Sequence, residues 1–166
     1  MALAVAMSVE EYLNTSFEGV DREYVHGEVI ERPMGEEKHS DVQWRICGII
    51  FQAASESALY GRPELRLRLT PDIFRIPDVS IFTTRPNERI PSSPPLCVIE
   101  IVSPDDRYSA LLAKLAEYSA WGVPNIWVVD PQIEKLYCYR QGSLEERPEL
   151  RLESHGVLLT ADRLFR

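Results

Sequence analysis

Apolar and polar positions follow two different periods along this chain, and the switches between them mark its elements. Ser8-Val-Glu-Glu11 has the form of a capping box and predicts a short helix to about Asn14. Arg22 to Arg32 reads as two short strands around His26-Gly27, an N-terminal hairpin. From His39 to about Ala58 the apolar residues Val42, Ile46, Ile49, Ile50, Ala53 and Ala54 recur at helical spacing, and Gly61-Arg-Pro63 ends that helix. Leu65 to Leu69 alternates like a half-buried strand. Pro77 to Phe82 is a second strand, and Leu96 to Val102 is a third, apolar on both faces. The proline-rich stretch Thr83 to Pro95 between them predicts an exposed, mobile loop. Ser103-Pro104 followed by Asp105 and Asp106 is a helix start, and the helix runs to Trp121 before Gly122 and Pro124. Asn125 to Val129 is another buried strand, Glu134 to Arg140 and Glu149 to Leu152 are later ones, and Thr160 caps a final turn. One helix joins two apolar strands, so the fold is α/β with a parallel crossover and helices on the sheet faces.

Composition narrows the class. The 166 residues predict one domain spanning 1–166, 45% hydrophobic and 27% charged, as in an ordinary globular chain. A net charge of −8 argues against a passive nucleic-acid coat, though not against an enzyme that holds a metal among carboxylates. Arg62, Arg66, Arg68, Arg75, Arg85 and Arg89 form either a local positive face or a solvated strand edge. Cys47, Cys97 and Cys138 are isolated in apolar stretches and read as reduced thiols; without CxxC or HExxH, a structural zinc site has little support. No apolar run reaches the roughly 20 residues of a membrane helix. The apolar start Met1 to Met7 is short and lacks a preceding base, so a signal peptide is not expected, Met7 is an alternative start, and a cytoplasmic location follows.

Three residues break the pattern. Glu100 lies inside the most apolar strand, on the face shared by Leu96, Val98 and Val102. A carboxylate there needs a compensating cation or a proton, so it is a metal ligand, a buried ion pair or an acid of raised pKa. Asp78 follows Pro77 at the entry to a neighbouring strand; Pro-Asp is ordinary turn chemistry, but with Glu100 it offers two carboxylates to a Mg²⁺. Lys114 falls on the inward stripe of Leu111, Leu115 and Tyr118, where it reaches the Glu100 site or snorkels past the core edge. Glu23, Glu28 and His39 carry weaker signals: Glu23 as a third acid, His39 as a helix-start residue.

The ordered set Glu23, Gly27-Glu28, His39, Pro77-Asp78-Val-Ser, Glu100-Ile-Val-Ser-Pro104, Lys114, Tyr118, Gly122-Val-Pro and Ile126-Trp127-Val-Val-Asp-Pro131 resembles the Uma2 family of "putative restriction endonucleases", also called domain of unknown function 820, within the PD-(D/E)XK nuclease superfamily. The resemblance implies a restriction-endonuclease-like αβββαβ core with a mixed central sheet flanked by helices. It implies a Mg²⁺ or Mn²⁺ held by Asp78, Glu100 and Ile101, with Glu23 as a further site acid and Lys114 as the catalytic lysine. The superfamily lysine two residues after the glutamate is Val102 here, and Lys114 replaces it from the following helix. Two positions depart from the family pattern: His26 stands where an acid often precedes the hairpin glycine, and Ala110 where the helix usually carries Asp. The implied activity is endonucleolytic hydrolysis of DNA, with an idle binding module or a small-phosphoester hydrolase as alternatives. Exposed strands after Asp130 suggest a homodimer or higher homo-oligomer.

Overall fold

The computed structural model describes residues 6–166, so the first five residues of the apolar start lie outside it. The chain opens with α1 (Val9–Asn14) and the hairpin β1 (Arg22–Val25) and β2 (Glu28–Glu31). Then come α2 (Glu37–Ala53), β3 (Tyr60–Pro63), β4 (Leu67–Thr70), β5 (Ile73–Arg75), β6 (Val79–Phe82) and β7 (Cys97–Ile101). The crossover helix α3 (Tyr108–Trp121) leads to β8 (Asn125–Asp130), β9 (Lys135–Arg140) and β10 (Ser143–Arg147). The end is β11 (Glu149–Leu152), a 3₁₀ turn at Glu153–His155, β12 (Val157–Thr160) and α4 (Ala161–Phe165).

Six strands form the central sheet in the order β10-β9-β8-β7-β6-β3. The β7–β8 pair is parallel and the other four pairs are antiparallel, so the expected mixed sheet and crossover are present. Alternation splits its side chains between two cores. Val79, Ile81, Cys97, Ile99, Trp127 and Val129 pack against Val42, Ile46 and Ile50 of α2 and against the β11–β12 hairpin. Val98, Ile126 and Val128 pack against Leu115 and Tyr118 of α3 and Leu67 of β4. A second antiparallel sheet, β2-β1-β5-β4, brings the N-terminal hairpin against the segment leading to β6. Tyr12, Tyr24 and Phe74 bury their rings beside it, and the Tyr12 and Tyr24 hydroxyls donate to the carbonyls of Arg22 and Met7.

Several boundaries moved. The helix read from His39 to Ala58 runs instead from Glu37 to Ala53, and Gly61-Arg-Pro63 is part of edge strand β3 rather than a simple stop. That makes β3 the first strand of the αβββαβ core, while the alternating stretch read from Leu65 to Leu69 supplies β4 of the second sheet. The crossover helix begins at Tyr108, not at Ser103-Pro104: the Ser103 N–H donates to Asp106 Oδ2 at 2.7 Å and Asp106 N–H returns to the Ser103 carbonyl, closing a turn in place of a cap. The sequence pattern does not predict β3, β5, β10 or β12 as strands. The caps at Ser8 and Thr160 stand as read. The arginine face disperses: Arg75 is buried, Arg66 lies over the Tyr12 ring and Arg68 over Phe74. All three cysteines are free thiols, Cys97 buried and the others half-buried. Among the described residues no helix is long and apolar enough to cross a membrane.

Gly61 leaves no room for a side chain between β3 and α2: a Cβ there would stand 2.9 Å from Cγ2 of buried Ile50. Gly61→Ala is therefore expected to destabilise the fold by about 1–3 kcal/mol, the usual cost of overpacking, read as a lower midpoint in urea denaturation with the slope unchanged.

Candidate functional site

The second sheet, the central sheet and α3 meet at one buried cluster of charge. Asp78 stands one residue before β6 and Glu100 one before the end of β7, and the register Val79↔Ile99 sets the two acids beside each other. Both side chains are almost wholly enclosed. Where the ladder would continue, Asp78 replaces a backbone partner: its Oδ2 accepts the Ile101 N–H at 2.7 Å. Its Oδ1 accepts from Arg32 Nη2 at 3.1 Å and lies 3.2 Å from His39 Nε2. Gln43 of α2 donates to the Asp78 carbonyl at 2.9 Å, so α2 fixes the backbone as well as the carboxylate.

Lys114 comes from α3 and joins the two sheets. Its Nζ is 2.8 Å from Glu100 Oε1 in the central sheet and 2.8 Å from Glu23 Oε1 in the second. Tyr118, one turn further on, donates to Glu100 Oε1 at 2.8 Å, and among the described residues Glu100 Oε2 makes no hydrogen bond. Glu23 Oε1 also accepts the Ile76 N–H at 2.8 Å, and Glu23 Oε2 accepts from Arg75 at 3.0 Å. Arg75 in turn forms a two-pronged pair with Glu117 of α3, at 2.6 and 3.0 Å.

These contacts set the protonation states. Burial pushes the Glu100 carboxyl up to about 7: the Lys114 ammonium opposes this, but repulsion from Asp78 and Glu23 adds to it. Burial acts on Asp78 too, yet the His39 hydrogen bond and the neighbouring positive charges hold its carboxyl below the usual range. Glu23 likewise overcomes burial through Lys114 and Arg75 and stays low. Lys114 is raised, since attraction to Glu100, Glu23 and Asp78 outweighs its desolvation. His39 is raised because its bond to Asp78 outweighs burial.

The structure thus brings Asp78, Glu100, Lys114 and Glu23 together. Ile101 touches the site through its backbone, its side chain lying in the core. Glu28 is exposed and apart from the cluster. His39 is more than a helix-start residue, because it reaches Asp78. Arg32, Arg75, Glu117 and the Tyr118 hydroxyl were not read as site groups. Arg75 gave the same signal as Glu100, a charge inside the apolar run Ile73-Phe-Arg-Ile76, whereas Arg32 gave none. Among the described residues no group of three or more His, Cys, Asp or Glu side chains is gathered as a metal cage.

The raised Glu100 pKa has a consequence for stability. The folded state holds this proton above pH 4.5, where an unfolded glutamate has lost it, so the stabilisation is full below that pH and lost as pH rises through about 7. His39 adds a loss of the same sign as pH climbs through its own raised value. Denaturation curves are expected to show wild-type stability falling as pH rises from about 4.5 to about 7, and Glu100→Gln to lose that fall and keep only the His39 part above pH 6.5.

A model of the Uma2 family, described as "Putative restriction endonuclease", matches residues 9–166. A crystal structure described as "a putative nuclease belonging to DUF820", from Anabaena variabilis, superposes with a TM-score of 0.83 at 24% identity, covering 96% of this chain and 97% of that one. That likeness establishes the fold. A comparison with curated proteins returned no match. With the family model spanning nearly the whole chain, the protein belongs to the Uma2 family.

Proposed function

We propose that this chain is a metal-dependent endonuclease that hydrolyses phosphodiester bonds in DNA. The observation that carries the reading is the pair of enclosed carboxylates, Asp78 and Glu100, side by side on adjacent strands with the Lys114 ammonium against Glu100. The donors fit a hard divalent cation: both acids offer carboxylate oxygens, and Glu100 has one oxygen without a hydrogen bond among the described residues. Asp78 and Glu100 would hold Mg²⁺ or Mn²⁺, and Ile101 would join through its carbonyl oxygen. Such a cation supplies Lewis-acid polarisation of the phosphoryl group and activation of water.

The chain's own residues do the rest. Lys114 offsets negative charge that builds on the phosphoryl group. Glu23 and Tyr118 set the positions of Lys114 and Glu100, and Arg32, His39 and Gln43 fix Asp78. One observation favours the idle binding module instead. Both Asp78 oxygens already have protein partners, and Lys114 already bridges two acids, so the cluster is closed as a set of ion pairs.

Calorimetry with Mn²⁺ separates the two. The nuclease reading expects binding in the wild type that Asp78→Ala and Glu100→Ala both remove; heat that survives both substitutions, or none in the wild type with or without DNA, sinks it. Cleavage of plasmid DNA is expected to fall by about 10²–10³ in Lys114→Met, the usual loss when one charge-stabilising donor goes. The same substitution leaves Glu23 and Glu100 buried without their shared cation, so it is expected to cost about 3–5 kcal/mol of stability in denaturation.

A further inference from the structure

The row of side chains that holds Glu100 continues past it, away from Asp78. Glu100 pairs with Val128 across the parallel β7–β8 ladder, and Val128 pairs with Tyr137 across β8–β9. The three stand side by side on the face covered by α3, at strand spacings of roughly 4.8 Å. Over Val128 lies a cavity of about 360 Å³, walled by Tyr108 and Leu111 from the first turn of α3 and by Tyr137 and Leu144 from β9 and β10. That is the small end of the range for ligand pockets, which extends to about 1,000 Å³.

The lining chooses among ligands. It contains no lysine or arginine and it contains two aspartates, Asp106 and Asp130, so it disfavours a phosphate. Each aspartate is anchored by one oxygen. Asp106 Oδ2 accepts the Ser103 N–H, and Asp130 Oδ1 accepts the N–H groups of Gln132 and Ile133. Their other oxygens make no hydrogen bond among the described residues, and each is a fixed acceptor beside an aromatic and aliphatic wall. A flat group with an apolar face and hydrogen-bond donors on its edge meets these demands. Nucleobases have that form, and those with an exocyclic amino group carry the most donors.

We propose that this cavity receives one unpaired nucleobase adjoining the scissile phosphate, which makes the substrate single-stranded nucleic acid or a strand with a splayed base. The inference deepens the endonuclease reading and rests on it for the position of the phosphate. Inside a duplex a base is stacked on both faces and its donor edge is paired, so it cannot enter without being extruded. A single strand offers the base at no such cost.

Two measurements on the full chain test it. The first is binding of deoxyguanosine and deoxycytidine, followed by saturation-transfer NMR, in wild type and in Tyr108→Ala. Tyr108 is 64% exposed, so its removal spares the fold, which unchanged denaturation midpoints would verify. Binding is expected to weaken at least about fivefold, the lower end of what losing one base–aromatic stack costs. The second is Mn²⁺-supported cleavage of a labelled single strand, its duplex, and the single strand with an abasic residue at the cut position. The expected order is single strand fastest, with duplex and abasic strand slower by at least about tenfold. Equal cleavage of all three, or nucleoside binding that is absent or indifferent to Tyr108, overturns the base pocket even where DNA is cut. Tyr108-dependent nucleoside binding with no cleavage of any strand upholds the pocket and removes the endonuclease reading.

Discussion

A single ammonium group ties the molecule together at its centre. Lys114 reaches from α3 to Glu100 in the central sheet and to Glu23 in the second sheet, at 2.8 Å each. Glu100 has no other cation paired with it, Glu23 has Arg75 besides, and the ammonium would be intolerable there without the two acids. The two sheets are therefore held in register by electrostatics as well as by apolar packing. Arg75 repeats the device one layer further out, pairing Glu23 of β1 with Glu117 of α3. A well-packed apolar seam would give comparable stability. What the ionic seam adds is a pair of carboxylates kept at fixed positions under low dielectric, where small changes in charge have large effects.

The two acids are held by different means. Asp78 is pinned at both oxygens and through its carbonyl, by groups from α2, the segment after β2, and β7. Glu100 is held on one oxygen only, by Lys114 and Tyr118. Their pKa values diverge accordingly, one depressed and one raised to about 7. Two carboxylates driven apart in this way are the usual mark of a site with distinct tasks for each.

Much of this was legible in the chain. Glu100 stood out because a charge inside Leu96 to Val102 demands a compensating cation or a proton, and Lys114 because it fell on an inward helical stripe. The parallel crossover followed from one helix lying between two apolar strands, and the mixed sheet from the family resemblance. What escaped were features fixed by tertiary contact. The start of α3 depended on Asp106 turning back to the Ser103 N–H, a choice that Ser-Pro-Asp-Asp leaves open between cap and turn. Arg32 lies beyond β2 in a polar stretch, and only the packing of the second sheet against the first carries it to Asp78. The placement of Leu67–Thr70 in the second sheet is likewise non-local, since its alternation fits either sheet equally well.

The two ends of the central sheet differ from its middle in one respect that bears on how copies of the chain meet. At one end β3 contains Pro63, which has no N–H to offer an incoming strand. At the other, β10 carries the charged side chains Glu145, Glu146 and Arg147, which blunt it as a pairing edge. Both borders resist lateral growth of the sheet, the first step toward cross-β aggregation. Self-association, where it occurs, is thereby diverted from the backbone edges to side-chain surfaces such as the outward face of α2, where Trp44 and Phe51 stand in solvent one heptad apart.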